Sequence, residues 1–225
     1  MVPQLKAVIF DLDGVITDTA EYHYRAWEAL SKELGIPFTK GFNEELKGIS
    51  RMESLEKILV LGGKQNDFTT DEKTLLADRK NDYYRRLIET ITPQDILPGI
   101  KEFIFDLKQN GIKMGLASVS KNAFTVISRL ELAGEFDVIV DAALIQKGKP
   151  DPEIFLRAAE QLSVEPVDCI GIEDAAAGIT AIKAAGMFAV GIGNAERLVL
   201  ADLLYHSTGE IQFDEIRDAF FSAKS

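Results

Sequence analysis

The sequence predicts an α/β fold in which a doubly wound parallel sheet carries an inserted helical domain. Three observations predict it: short apolar runs, helical patterns between these runs, and a long helical stretch after the first run without a convincing strand. Apolar runs that lack polar alternation are typical of strands covered by helices on both faces. With 225 residues, 46% of them hydrophobic, the chain can bury a sizeable core.

The alternation of strands and helices is clearest in the second half of the chain. Apolar residues from Ile100 to Leu107 repeat at the spacing of one helix face, and Gly111 ends that helix. Asp151 and Pro152 predict the N-cap and first turn of another helix. The predicted strands cover residues 7–10, 113–117, 138–140, 169–172 and 188–192.

Residues 11–99 interrupt this alternation and are too numerous for a simple crossover between strands. We therefore expect a core domain at 1–16 and 93–225 and a helical cap domain at 17–92. The first cap helix has an apolar face that includes Trp27, and it ends at Gly35. Three capping boxes predict where cap helices begin: Asp18 with Glu21, Ser50 with Glu53, and Thr69 with Glu72.

The charge and composition of the chain limit the kinds of molecule that it can be expected to bind. The 36 acidic and 25 basic side chains give a net charge of −11, which disfavours nucleic acid and anionic membranes but permits a small phosphorylated substrate in a local positive pocket. Cys169 is the single cysteine and lies in an apolar run, so we expect a buried thiol and no intramolecular disulfide. No targeting segment or membrane span is evident. We expect a cytoplasmic monomer.

Polar residues gather at the carboxyl ends of the predicted strands, where open α/β sheets bind ligands. Asp11 and Asp13 follow the first strand, and extended chain would separate them by roughly 6–7 Å on one side. One carboxylate of such a pair can attack phosphorus beside a divalent cation, while the other exchanges a proton with a hydroxyl. Alternatively, both aspartates make only local turn hydrogen bonds before Gly14.

Two lysines and a second acidic pair stand at later strand ends. Lys121 is expected in a first helical turn, where it opposes the helix dipole unless an anion is near; a solvated lysine is the alternative. Lys149, before Pro150, could neutralise phosphate charge, although Lys147 could take that place in another register. The acids Glu173 and Asp174 could cap a helix or, with Asp11, form an oxygen-rich magnesium site.

This ordered set resembles the haloacid dehalogenase (HAD) superfamily: Asp-x-Asp after the first strand, serine after the second, Lys-Pro before a helix, and Glu-Asp after a later strand. The resemblance covers the sheet on both sides of the insert and implies a HAD-like, Rossmann-type core. It also implies a set of roles: Asp11 as the nucleophile that becomes an aspartyl phosphate, Asp13 as general acid and base, Ser118 and Lys149 as phosphate ligands, and Mg²⁺ bound by Asp11, Asp174 and the Asp13 carbonyl with Glu173 in or near its shell.

Residues 10–23 and 46–51 are similar to sugar-phosphate mutases of that superfamily, and the likeness runs nearly end to end. It implies interconversion of β-glucose 1-phosphate and glucose 6-phosphate through β-glucose 1,6-bisphosphate, and a hinge hydrogen bond for His23, which by itself could be a satisfied interface histidine. Arg51, at a helix start, independently favours a nearby anion, although it could be a plain surface arginine. The implied substrate contacts are Thr19, Lys47, Gly48, Ser50, Arg51, Ser54, Lys80, Val119, Ser120, Lys121 and Asn122.

Three functions remain compatible with these residues: a phosphomutase, a sugar-phosphate phosphatase on the same scaffold, and a non-enzymatic module that accepts phosphate on an aspartate. The third has no use for a large cap with its own basic residues. Mutase and phosphatase differ in whether a sugar hydroxyl or water receives the phosphoryl group, so water exclusion by the cap decides between them.

Overall fold

The computed structural model describes residues 4–224, and six parallel strands form one sheet within that range. This confirms the predicted doubly wound fold. The sixth strand was not predicted, because it is only three residues long and only partly buried. The strands are β1 (Ala7–Phe10), β2 (Lys113–Leu116), β3 (Val138–Ile139), β4 (Cys169–Glu173), β5 (Phe188–Ile192) and β6 (Leu203–Tyr205), in the order β3-β2-β1-β4-β5-β6.

Every side chain of β1 is buried, whichever face of the sheet it points to, because helices cover both faces. Val8 and Phe10 belong to one apolar cluster, and Ala7 and Ile9 to another, as the alternation of a strand requires. The helices outside the insert are α5 (Ile100–Gln109), α6 (Ala123–Arg129), α7 (Glu153–Leu162), α8 (Ala176–Ala184) and α9 (Phe213–Ser222).

The central strands bring helices close through glycine. Ile9 of β1 pairs with Gly115 on one side and Gly171 on the other. A Cβ at Gly171 would stand 2.6 Å from Cγ1 of Ile182, so the missing side chain lets α8 lie directly on the sheet. The parallel register of β1 with β4, in which Phe10 lies opposite Ile172, places the ends of these two strands side by side.

The predicted helix boundaries are confirmed in α5 and shifted in α7. Ile100 and Leu107 are buried, and Gly111 follows α5 with φ of 67°. In α7 the N-cap is Pro152 rather than the predicted Asp151. The Asp151 carboxylate accepts a hydrogen bond from the Glu153 amide at 3.0 Å. It therefore closes a turn that ends at the first residue of the helix.

Between β1 and α5 lie α1 (Ala20–Glu33), α2 (Lys40–Asn43), α3 (Arg51–Leu61) and α4 (Thr70–Ile88). Many of their apolar side chains, including Trp27, Leu55 and Leu76, form a cluster of their own, while Tyr84 and Ile88 of α4 pack into the core cluster. This separate cluster supports a division into core and cap, and the boundaries at 16/17 and 92/93 remain a proposal.

Two of the three predicted capping boxes are confirmed. Ser50 with Glu53 and Thr69 with Glu72 make both reciprocal hydrogen bonds, at the starts of α3 and α4. The box at Asp18 is wrong: the N-cap of α1 is Thr19, and Asp18 instead accepts from the Ala20 amide at 2.9 Å. Its intended partner, Glu21, is held by Arg25 at 2.9 Å and Lys40 at 3.0 Å.

Two smaller expectations can be compared directly. Cys169 is a buried free thiol, as predicted. Within residues 4–224, no helix has both the length and the apolar character that a membrane crossing requires.

Candidate active site

A cavity of about 1310 Å³ lies between the carboxyl edge of the sheet and the cap, and residues of both line it. Four of the predicted site residues, Thr19, Ser118, Lys149 and Glu173, are buried rather than among those that line it. The lining includes Asp11, Asp13, His23, Lys47, Gly48, Ser50, Arg51, Ser54, Lys80, Val119, Ser120, Lys121, Asn122 and Asp174.

Asp11 stands at the end of β1 with both carboxylate oxygens engaged. Its amide donates to the Ile172 carbonyl at 2.9 Å, which extends the β1–β4 ladder by one residue and fixes the backbone. Oδ1 accepts from Lys149 Nζ at 2.6 Å, and Oδ2 accepts from the Asp13 amide at 3.0 Å. The carboxylate is therefore oriented by two neighbours.

Lys149 is the lysine that lies beside Asp11. It is fully buried, and its ammonium is also 3.6 Å from Glu173 Oε1. Burial alone lowers the pKa of this ammonium, but the charges of Asp11 and Glu173 outweigh it and raise the pKa above its usual value. Lys147, the alternative in the sequence, is 74% exposed and 3.8 Å from Asp151.

Asp11, Glu173 and Asp174 each offer a carboxylate oxygen, and these atoms lie within 4.8 Å of one another. Both Glu173 oxygens are buried and lack a hydrogen-bond partner among the described residues. Burial, reinforced by the charge of Asp11, raises the pKa of Glu173 well above its usual value and that of Asp174 to about 7. A hard cation bound by oxygen would relieve both effects, so the residues fit Mg²⁺.

Glycines make room for these acids. Gly14 has φ of 76°, and a side chain there would collide with the Asp174 carboxylate. A side chain at Gly178 of α8 would collide with the Glu173 carboxylate. In the cap, a Cβ at Gly48 would stand 3.0 Å from the Ala175 Cβ, so glycine lets the cap loop lie over the end of β4.

Asp13 faces the start of α1, where the chain passes from the core to the predicted cap; we call the contacts of Asp13 with Thr19 and His23 the hinge. Its Oδ1 accepts a hydrogen bond from the Thr19 hydroxyl, and its Oδ2 is 3.8 Å from His23 Nε2. Burial, together with the charge of Asp11, raises the pKa of Asp13 to about 7. A carboxyl with that pKa can both give and take a proton near neutral pH.

His23 is held between Asp13 and a buried lysine of the cap. Its Nδ1 is 2.8 Å from Lys80 Nζ, and its ring stacks on Tyr84 with centroids 4.1 Å apart. Burial and the charge of Lys80 lower the pKa of His23 well below its usual value. A neutral imidazole that accepts at Nδ1 carries its hydrogen on Nε2, which faces Asp13.

Lys80 lies against two aromatic rings and is 3% exposed. Its ammonium is 4.7 Å from the ring centre of Trp27 and 4.9 Å from that of Tyr84. Burial, and then the charge of Arg51, lower the pKa of Lys80 to about 7. Aromatic faces can hold a cation while leaving it free to meet an anion in the cavity.

Other cap cations point into the same cavity. Arg51 is the first residue of α3, and its Nη1 is 3.3 Å from the Ala77 carbonyl and 3.4 Å from Asp78 Oδ1. Lys47 is 3.3 Å from Glu44 and 3.9 Å from Asp174, which reaches across from the core. The charge of each is thus shared with one or more acids.

The two predicted cap serines make hydrogen bonds within the cap. The Ser50 hydroxyl accepts from the Glu53 amide and caps α3. The Ser54 hydroxyl donates to the Ser50 carbonyl at 3.0 Å and is nearly buried. Both residues nevertheless line the cavity.

The loop after β2 is held by its own hydroxyls. Ser118 Oγ accepts from the Ser120 amide at 3.1 Å, and Ser120 Oγ accepts from the Asn122 amide at 3.3 Å. The predicted place of Lys121 in a first helical turn is wrong, because α6 begins at Ala123 and its N-cap is Asn122. Lys121 precedes the helix and is exposed at the cavity.

Three contacts of this site were not predicted from the sequence. Asn81 accepts a hydrogen bond from Asn122 Nδ2 at 2.7 Å, Asp78 pairs with Arg51, and Tyr84 stacks on His23. One signal was present: Lys80 and Tyr84 are four residues apart and so share one face of α4, where a lysine among aromatic residues is unusual. Nothing in the sequence marks Asn81.

The protein-family model of the haloacid dehalogenase-like hydrolases matches residues 5–186 of this chain. Together with the sheet order and the acidic cluster at the ends of β1 and β4, this match defines the class. The chain belongs to the haloacid dehalogenase-like hydrolases.

Individual relatives narrow the comparison. The chain is 52% identical over 214 residues to the β-phosphoglucomutase of Bacillus subtilis, covering 95% of each chain. A crystal structure of β-phosphoglucomutase from Clostridium difficile superposes with a TM-score of 0.96 at 51% identity, covering 98% of this chain and 99% of that one. A phosphorylated carbohydrates phosphatase of Thermotoga maritima is 30% identical over 185 residues, covering 81% of this chain and 82% of that protein. The first two support the mutase prediction over the phosphatase.

Proposed function

We propose that the chain is a β-phosphoglucomutase, an isomerase that interconverts β-D-glucose 1-phosphate and D-glucose 6-phosphate. The carrying observation is that Arg51 and Lys80 line the cap side of a cavity on whose core side Asp11 stands, with the buried Lys149 directly behind it. A sugar bisphosphate has an anion at each end and needs positive charge near both. The 52% identity to the Bacillus subtilis β-phosphoglucomutase supports the same function.

In the proposed reaction, an Asp11 oxygen attacks the phosphorus of β-glucose 1,6-bisphosphate and forms an aspartyl phosphate. The bond from phosphorus to the sugar oxygen breaks, and Asp13 gives its proton to that oxygen. When the attacked phosphate is the one at C1, glucose 6-phosphate leaves. The C6 hydroxyl of an incoming β-glucose 1-phosphate then loses its proton to Asp13 and takes the phosphoryl group from Asp11, which regenerates the bisphosphate and the free Asp11 carboxylate. Each Asp13 proton is thus returned within one cycle, consistent with the pKa of about 7 of this carboxyl.

The remaining site residues are proposed to orient the reacting groups and to neutralise the charge of the phosphates. Lys149 balances charge on Asp11 and on the transferring group, and Ser118 is proposed as a phosphate ligand of the core. His23 and Thr19 hold Asp13 on the side of the hinge. In the cap, Lys47, Gly48, Ser50, Arg51, Ser54 and Lys80, with Val119, Ser120, Lys121 and Asn122 of the core, are proposed to surround the sugar and its second phosphate.

Mg²⁺ is the proposed cofactor. Asp11, Asp174 and the Asp13 carbonyl would hold it, with Glu173 alongside. When bound, it supplies positive charge that screens the carboxylate of the nucleophile from the phosphate it attacks. That the protein acts as a cytoplasmic monomer without nucleic-acid or membrane partners stays a prediction.

The test is a product analysis. β-Glucose 1-phosphate is incubated with the protein, Mg²⁺ and a trace of β-glucose 1,6-bisphosphate, and glucose 6-phosphate and inorganic phosphate are measured together. We expect glucose 6-phosphate as the main product, formed faster with the bisphosphate. Inorganic phosphate as the main product would overturn the mutase in favour of a phosphatase, in which water receives the phosphoryl group.

A further inference from the structure

A hydrogen bond joins the middle of the cap helix α4 to the loop after β2. Asn81 Oδ1 accepts it from Asn122 Nδ2 at 2.7 Å. Both side chains line the cavity. Asn81 follows Lys80 directly, so one turn of α4 reaches both the His23–Asp13 hinge and the loop of residues 118–122. The bond therefore spans cap and core in this structure.

The Asn122 side chain does not make the hydrogen bond that is usual at its position in the chain. Asn122 is the N-cap of α6, a position where asparagine commonly accepts an amide hydrogen bond from its own helix. Across residues 4–224 the structure shows no such cap bond for it. The amide turns to Asn81 instead, which occupies one of its two N–H donors and leaves the other for an anion in the cavity.

We propose that Asn81 is a positioning residue of the mutase: it orients the Asn122 amide toward the sugar phosphate and makes that orientation depend on the seating of the cap. This inference rests on the proposed function. Within the loop, the hydroxyls of Ser118 and Ser120 accept hydrogen bonds from the backbone amides of Ser120 and Asn122. These bonds fix the backbone but not the Asn122 side chain. Asn81 supplies the missing constraint from the cap.

Asn81→Ala should therefore lower kcat/KM for the sugar phosphate by about three- to tenfold, the worth of one neutral hydrogen bond. The effect should fall mainly on KM. Phosphorylation of Asp11 by a small acyl phosphate should be unchanged, because Lys149 and Asp13 orient that carboxylate without Asn81. Alanine favours helix, so α4 itself should not be weakened.

Arg197→Ala is the matched control. It also removes one side-chain contact between core and cap, the 2.9 Å pair of Arg197 with Glu44. The arginine is 61% exposed and lies outside the lining of the cavity, so kcat/KM should stay close to that of the wild type. An equal loss in both variants would show that any loosening of the cap suffices, and would overturn a specific role for Asn81.

The decisive measurement is a double-mutant cycle with Asn122→Ala, read as the affinity for glucose 6-phosphate by calorimetry. If Asn81 acts through Asn122, then Asn81→Ala costs affinity in the wild type and nothing further in Asn122→Ala. Additive losses, or wild-type affinity of Asn81→Ala, would overturn the proposal. Calorimetry reports binding and not turnover. If the wild type released inorganic phosphate in the product analysis, that result would refute the mutase function and leave the proposed role of Asn81 to be decided by the binding data.

Discussion

Replacement of Lys149 by methionine tests the charge balance at the centre of the site. The side chain is fully buried, 2.6 Å from Asp11 and 3.6 Å from Glu173, and methionine keeps most of its volume without its charge. Breaking a buried ion pair by removing one partner costs about 3–5 kcal/mol, because the remaining charge stays buried. A domain of this size loses roughly 2–4 °C of melting temperature per kcal/mol. We expect Lys149→Met to melt about 6–20 °C below the wild type.

The assay is thermal unfolding in a buffer with EDTA, so that no divalent cation replaces the lost charge. Lys147→Met is the matched control, because that lysine is 74% exposed and its pair with Asp151 should contribute no more than about 1 kcal/mol. Adding Glu173→Gln to Lys149→Met should recover part of the loss, since it removes one unbalanced acid. A shift in Lys149→Met as small as that in Lys147→Met would refute the reasoning.

Three further predictions concern the chemistry. Asp11→Asn should form no phosphoenzyme, because the amide is not a nucleophile toward phosphorus; a mass increase of the intact variant after incubation with an acyl phosphate would contradict this. Arg51→Ala should lower sugar-phosphate turnover by about 10- to 150-fold, as loss of a charged hydrogen bond predicts, while attack on a small acyl phosphate continues; equal losses would rule out a role for this residue at the second phosphate. Lys80 has a pKa of about 7 in the free protein, so its cation is lost as the pH rises through that value, and KM for the sugar phosphate should increase. In Lys80→Arg the charge persists and the profile should be flatter; identical profiles would exclude Lys80 as the cause.

Seen against the structure, the elements that sequence patterns placed best are those with continuous local signals. The run of β1 is apolar at every position and is buried throughout, and the boxes at Ser50 and Thr69 form as their spacing requires. Failures have equally local causes. Asp18 satisfied the capping pattern but closes its own turn instead, and Glu21 found Arg25 and Lys40 as partners. A pattern of residue types does not exclude competing bonds.

The sequence by itself determined the fold class and the order of acidic and basic residues along the chain, and this order is the basis for proposing Asp11 as the nucleophile. Order suffices there because parallel strands bring their carboxyl ends to one edge. Only the tertiary structure decided which lysine meets Asp11, since Lys149 lies 138 positions away and Lys147 shares its local context. It likewise decided that Lys80 rests between Trp27 and Tyr84 and that Asn81 holds Asn122. The contacts of Lys149 with Asp11, Lys80 with Trp27 and Asn81 with Asn122 join segments that are far apart in the sequence, and no local periodicity encodes the distance between such segments.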